Sequence, residues 1–162
     1  MAAESYILFE LAATTYALRT HDVQHMEMVD HITPVPNAPA FVEGVIFSRG
    51  QVIPAVNLRI RFGFPKIDHS LRSRLIVVQA ENRKIGLIVD AAREFRTMPA
   101  ETIQPPHNSI TGLSGRYLSG IATVADRVVL VLDIAEILNF GDFQTDNLLN
   151  AQASSPSLAL KV

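Results

Sequence analysis

Pro36-Asn-Ala-Pro-Ala-Phe-Val-Glu-Gly-Val-Ile-Phe-Ser-Arg-Gly-Gln-Val-Ile-Pro-Ala-Val-Asn-Leu-Arg59 is the stretch that decides how this chain folds. Two apolar, β-branched runs, 41–47 and 51–58, flank the polar break Ser48-Arg49-Gly50. Runs of that length and composition predict strands, because branched and aromatic side chains suit a pleated surface. Gly50 supplies the positive φ that a tight hairpin needs. Pro54 has no N–H to give to a ladder, so the second strand is expected at an edge or a bulge.

The same pattern extends in both directions. Further strands are predicted at 6–11, 15–18, 75–80, 85–90, 94–98, 117–124 and 128–132, with polar hairpin turns at 81–84 and 125–127. A short helix is expected after Asp133, an acceptor at the N-cap with Glu136 three residues on, and Ile134, Ile137 and Leu138 then share one face. In 21–30, Val23, Met26 and Val29 repeat near helical spacing, and the pattern there fits helix or strand. Many short strands with few helices point to a mainly β architecture, a small barrel or sandwich or a pair of barrels. The domain is expected to span residues 1–141. Residues 142–162, rich in Asn, Gln, Ala and Ser, read as a loosely held tail or a short helix.

Composition narrows the function. The chain has 162 residues and no cysteine, which removes disulfides, thiolate nucleophiles and Cys-based metal sites. Fourteen basic residues against sixteen acidic ones give a net charge of −2, without the positive field of a dedicated nucleic-acid binder. No basic region followed by an apolar core opens the chain, so neither a signal peptide nor membrane insertion is expected.

Catalytic groupings are sparse. Gly112-Leu-Ser-Gly115 has neither nucleotide-loop nor nucleophile-elbow spacing. His21 and His25 would share a helical face, but a metal would need a third ligand from Asp22, Glu27 or His31, so surface or partner-facing histidines are expected. Asp133 is expected as a helix cap and Asp90, at a strand end, as a structural acceptor. Basic residues gather in 59–74, where Arg59, Arg61, Lys66, Arg72 and Arg74 face only Asp68, with Phe62 and Phe64 between them. That segment reads as a solvated loop with a Phe-Gly-Phe-Pro turn on the core, with a nucleic-acid patch or an acidic partner as the sharper alternatives. The expectation is a non-catalytic binding protein without cofactor or metal.

The opening stretch, with Ile85-Gly-Leu-Ile-Val-Asp90, Ile103-Gln-Pro-Pro106 and Tyr117-Leu-Ser-Gly-Ile121, resembles the CheW-like domain of bacterial chemotaxis over about residues 5–140. The resemblance implies two intertwined five-stranded SH3-like barrels with a short C-terminal helix, a tenth strand falling near 32–35. It implies a cytoplasmic scaffold, held at receptor arrays through its partners: the cytoplasmic tips of methyl-accepting chemoreceptors and the regulatory domain of a CheA-type histidine kinase. With no kinase module in the chain, a free-standing coupler is expected; a scaffold for a pilus or second-messenger pathway is the alternative within the family.

Partner-binding positions follow from the same resemblance. Gly44 and Arg49 sit in the region that binds receptor and kinase. Val23 and Met26 match one wall of the receptor groove and Phe95 the other, while Arg74 and Leu75 begin a strand that contributes to kinase contact. Departures from the family pattern add Phe47, in the Phe47-Ser48 pair that replaces a usual Asn-Leu, and His25, which stands where an acid is common. Arg74 is a further departure, placed where an apolar residue is frequent.

Overall fold

The computed structural model describes residues 3–106 and 116–139. The strands are β1 (Ala3–Leu11), β2 (Thr14–Arg19), β3 (Val23–Met28), β4 (Val42–Ser48), β5 (Gln51–Asn57), β6 (Arg74–Ala80), β7 (Arg83–Val89), β8 (Ala91–Pro99), β9 (Ile103–Gln104), β10 (Leu118–Val124) and β11 (Arg127–Leu132). Two one-turn helices, α1 (Leu58–Arg61) and α2 (Ile134–Ile137), complete the regular structure, with 3-10 turns at Thr20–Asp22 and Ala100–Thr102. One sheet runs β8-β1-β2-β11-β10-β9 and the other β3-β6-β7-β5-β4. The expected pair of barrels is therefore present, with one sheet carrying a sixth, two-residue strand. The interleaving is a nesting, since β3 to β7 lie in sequence wholly between β2 and β8.

The apolar runs do not alternate with polar residues because most strands are buried on both faces. Ile7, Phe9 and Leu11 of β1 join a central core shared with Ile76 and Val78 of β6. Between them, Tyr6 and Leu8 turn into the interior of the first barrel, with Ala17, Met98 and Val131. Leu75 and Val77 of β6 fill the second, with Ile46, Ile53 and Ile88. A strand facing apolar surroundings on either side reads as continuous hydrophobic sequence.

Four two-residue hairpins place both central residues at positive φ: Ala12-Ala13, Arg49-Gly50, Glu81-Asn82 and Ala125-Asp126. Left-handed dihedrals at both positions match the right-handed twist of the flanking strands. The predicted hairpins at 48–50, 81–84 and 125–127 are thereby confirmed.

Several expectations need correction. The ambiguous segment 21–30 is a 3-10 turn followed by β3. Val23 pairs with Val78 and Met26 with Ile76, but a bulge falls between Val23 and His25. The extra residue sets two core-facing side chains three apart, which imitates helical spacing. Thr33 makes only an isolated bridge to Val45 in place of a strand at 32–35. β5 lies between β7 and β4, away from the sheet edge. Val45 spends both its N–H and its C=O on Thr33, so Pro54 opposite it is a non-hydrogen-bonded partner. Pairing of β5 with β7 begins only at Ala55, so no ladder asks Pro54 for a donor. The end of the predicted strand at 58 belongs to α1, which Asn57 caps by accepting the Ile60 N–H at 3.2 Å.

Candidate functional site

Along β4 the side chains alternate. Ile46 points into the second barrel, Phe47 stands 75% exposed, and Ser48 returns to burial at 6%. Phe47 lies opposite Val52, also exposed, so two apolar side chains face solvent across the hairpin. Arg49 follows at the turn, exposed, making no hydrogen bond or ion pair with another described residue. On one side of the turn lies a cleft of about 200 Å³ walled by Met28, Asp30, His31, Ile46, Phe47 and Leu75. On the other, Gln24, His25, Ser48, Arg49 and Lys84 line a smaller one of about 130 Å³.

A compact polar network sits under this turn. Ser48 donates its hydroxyl to Glu27 Oε2 at 2.6 Å. His25 Nε2 lies 2.7 Å from the same carboxylate oxygen and 3.2 Å from Ser48 Oγ. β3 and β4 are the two ends of the five-stranded order, with no ladder between them. These side chains thus join the ends of the sheet where the main chain does not. Burial works against the Glu27 carboxylate, but hydrogen bonds from Ser48 and His25 and the charges of His25 and Arg49 outweigh it and lower its pKa below the ordinary value.

The other predicted residues divide between surface and interior. Val23 and Met26 pack against the central core, and Leu75 is 2% exposed inside the second barrel. Gly44 is at φ +154°, beside a bulge, and a Cβ there would stand 2.1 Å from the Thr33 carbonyl oxygen. Its glycine is required by the backbone. Arg74 is half-buried and donates to the carbonyls of Leu71 and Ser73. Phe95 is 65% exposed on the edge strand β8, in the opposite sheet from Val23 and Met26. Glu27 and the buried role of Ser48 were missed. The signal was available only once 21–30 is read as a strand, because His25 and Glu27, two apart, then share a face.

The basic segment 59–74 is largely committed to the fold. Arg59 pairs with Asp90. The Arg61 guanidinium lies 4.5 Å from the Phe41 ring centroid and 5.3 Å from that of Tyr117, and donates to the Ile137 and Asn139 carbonyls. With Arg83 on the Leu138 carbonyl, it caps the end of α2, where helix carbonyls lack partners. Phe62 stacks on Tyr117 at 5.0 Å, as the core-packed turn predicts. Asp133 caps α2 through the Glu136 N–H, and Asp90 accepts the Ala12 N–H, so both carboxylates are structural as expected. His21 falls in a 3-10 turn and His25 in a strand, which removes the shared helical face a metal pair required.

The model of the CheW-like domain matches residues 5–141. The chain belongs to the CheW-like family. Among CheW-like proteins, the chemotaxis protein CheW of Thermotoga maritima is 33% identical over 120 residues, covering 72% of this chain and 78% of that one. The chemotaxis protein CheW of Klebsiella aerogenes is 26% identical over 136 residues, 84% of this chain and 82% of the relative. The crystal structure of the scaffolding protein TtCheW from Thermoanaerobacter tengcongensis superposes with a TM-score of 0.81 at 31% identity, covering 88% of this chain and 97% of that one. The CheW-like fold here carries the Phe47-Arg49 turn on the barrel formed by β3 to β7.

Proposed function

We propose that this chain is a non-catalytic adaptor of chemotaxis, coupling the cytoplasmic tips of methyl-accepting chemoreceptors to the regulatory domain of a CheA-type histidine kinase. The observation that carries the reading is the family match across residues 5–141, nearly the whole described fold. Among the described residues no helix is long and apolar enough to cross a membrane, which accords with an adaptor reaching the membrane through its partners in the cytoplasm.

Geometry supports a role for the turn. Phe47 and Val52 offer apolar area, and Arg49 brings a planar donor fork that no described residue engages. Phe95 marks a second exposed aromatic on the other barrel. Leu75 lines the cleft beside Phe47, and His25 the one beside Arg49.

Isothermal titration against the regulatory domain of the genome's own CheA-type kinase, and against a receptor-tip fragment, tests the proposal. Saturable binding near one-to-one is expected, with Arg49→Ala weakening it by about 1–3 kcal/mol while the melting curve stays in place. No binding to either partner overturns the coupler reading.

A further inference from the structure

We propose that Glu27 is a positioning residue for Arg49, clamping the β4–β5 turn through Ser48 so that the guanidinium is presented in one place. The inference rests on the reading of Arg49 as a partner contact.

Three observations carry it. The turn projects from the end of β4, an edge strand; past the Thr33–Val45 bridge, its last residues pair with β5 alone. A two-stranded ribbon held on one side only is easily twisted. The residue entering the turn is nevertheless fixed, because the Ser48 hydroxyl is buried and donates to Glu27 Oε2 at 2.6 Å on β3, the opposite edge of the sheet. A hydrogen bond to an ionised acceptor is among the stronger restraints a side chain can apply. Finally, Glu27 is held in place by His25 at 2.7 Å, and its charge also attracts Arg49. The carboxylate therefore acts on the turn twice, through the hydroxyl of Ser48 and through the field at Arg49.

Ser48 and His25 touch at 3.2 Å. A buried serine needs an acceptor, and an imidazole inserted between strands needs a partner. Glu27 serves both, and the charges that act on it are those of His25, on its own strand, and Arg49, at the turn; Asp30 and His31 line the cleft beside it.

The test is a double-mutant cycle read by titration calorimetry with the kinase regulatory domain and with the receptor-tip fragment. It uses the full chain and the variants Glu27→Ala, Arg49→Ala and the pair. Glu27→Ala is expected to weaken binding at least about threefold in the parent background and to add nothing once Arg49 is alanine. Glu27→Gln keeps an oxygen for Ser48 and is expected to recover part of the loss. Hydrogen exchange at the turn amides should quicken in Glu27→Ala and in Ser48→Ala. If Arg49→Ala weakens binding while Glu27→Ala does not, or if the two losses simply add, the clamp is wrong and the Arg49 reading survives. If Arg49→Ala changes affinity for neither partner, that reading falls and takes the clamp's purpose with it. A Glu27→Ala chain that fails to fold is replaced in the cycle by Ser48→Ala, for which the same non-additivity is expected and the same additivity refutes.

Discussion

Arg59 and Asp90 meet through three hydrogen bonds of 2.9 to 3.1 Å, tying α1 to the point where the chain leaves one barrel for the other. Asp90 also accepts the Ala12 N–H at 2.9 Å and gives its own N–H to the Glu10 carbonyl. A single carboxylate thus holds the first hairpin, α1 and the crossover from β7 to β8. Asp90→Ala is expected to destabilise the protein by about 3 kcal/mol, because it leaves a partly buried guanidinium without its carboxylate, keeping only the Pro65 carbonyl, and the Ala12 N–H without an acceptor. Urea unfolding measures this, and an unmoved midpoint would show the junction to be held by other contacts.

The first hairpin places two alanines, Ala12 and Ala13, at φ +51° and +64°. A Cβ in the left-handed region costs about 1–2 kcal/mol, and glycine escapes that cost while losing some unfolded-state entropy. Ala13→Gly is therefore expected to stabilise the fold by roughly 1 kcal/mol, raising Tm by about 2–4 °C. Calorimetry of the two proteins decides the sign.

At Gly44 the prediction is opposite. An alanine there meets the Thr33 carbonyl at 2.1 Å and keeps a φ of +154°. Gly44→Ala is expected to cost about 3 kcal/mol, through combined overpacking and backbone strain, and to expose the amide of Val45 that now bonds Thr33. Hydrogen exchange at Val45 and a thermal melt report the two effects separately.

Glu27 makes stability depend on acid. Its folded pKa is lowered from the ordinary 4.5, despite burial, by the groups around it. The native state therefore holds fewer protons than the unfolded chain in that range, and the contribution is full above 4.5 and lost as pH falls through the folded value. In Glu27→Gln the acid limb of the stability curve is expected to flatten below pH 4.5, with little change in its shape at neutral pH. Chemical denaturation across pH 3 to 7 reads the difference, about the ordinary carboxylate range.

The turns were legible because turn chemistry is local. Ser48-Arg49-Gly50 and Glu81-Asn82 announce positive φ through residues that tolerate it. Ala12-Ala13 announces nothing, and the hairpin forms because β1 and β2 pair on both sides of it. α1 was hidden for a different reason. Leu58-Arg-Ile-Arg61 alternates apolar and basic residues as a strand does, and four residues are too few to show a helical period. The hairpin pattern placed Arg49 in a turn and the resemblance singled out Phe47 and Arg49, whereas the pairing of Glu27 with Ser48 was not legible, since the two are twenty-one residues apart and meet only through barrel closure. Likewise Arg59 and Arg61 looked free because their acceptors, Asp90 and the carbonyls at the end of α2, lie far along the chain.

The nesting of one barrel inside the other's sequence sets an order of events during folding. Every pairing within β3 to β7 can form once residue 89 has been made, but β1 must wait for β8, with Ala3 meeting Pro99, and β2 for β11, with Thr15 meeting Val129. Closing loops of that length before their ends are brought together is entropically unfavourable. The inner barrel brings them together, since its first and last strands begin and end beside the outer sheet's β2 and β8. On a ribosome the first hairpin emerges with two apolar faces and no sheet to cover either. The inner barrel then serves as the template on which the outer one closes, and any delay in its formation lengthens the time that β1 stays open to aggregation.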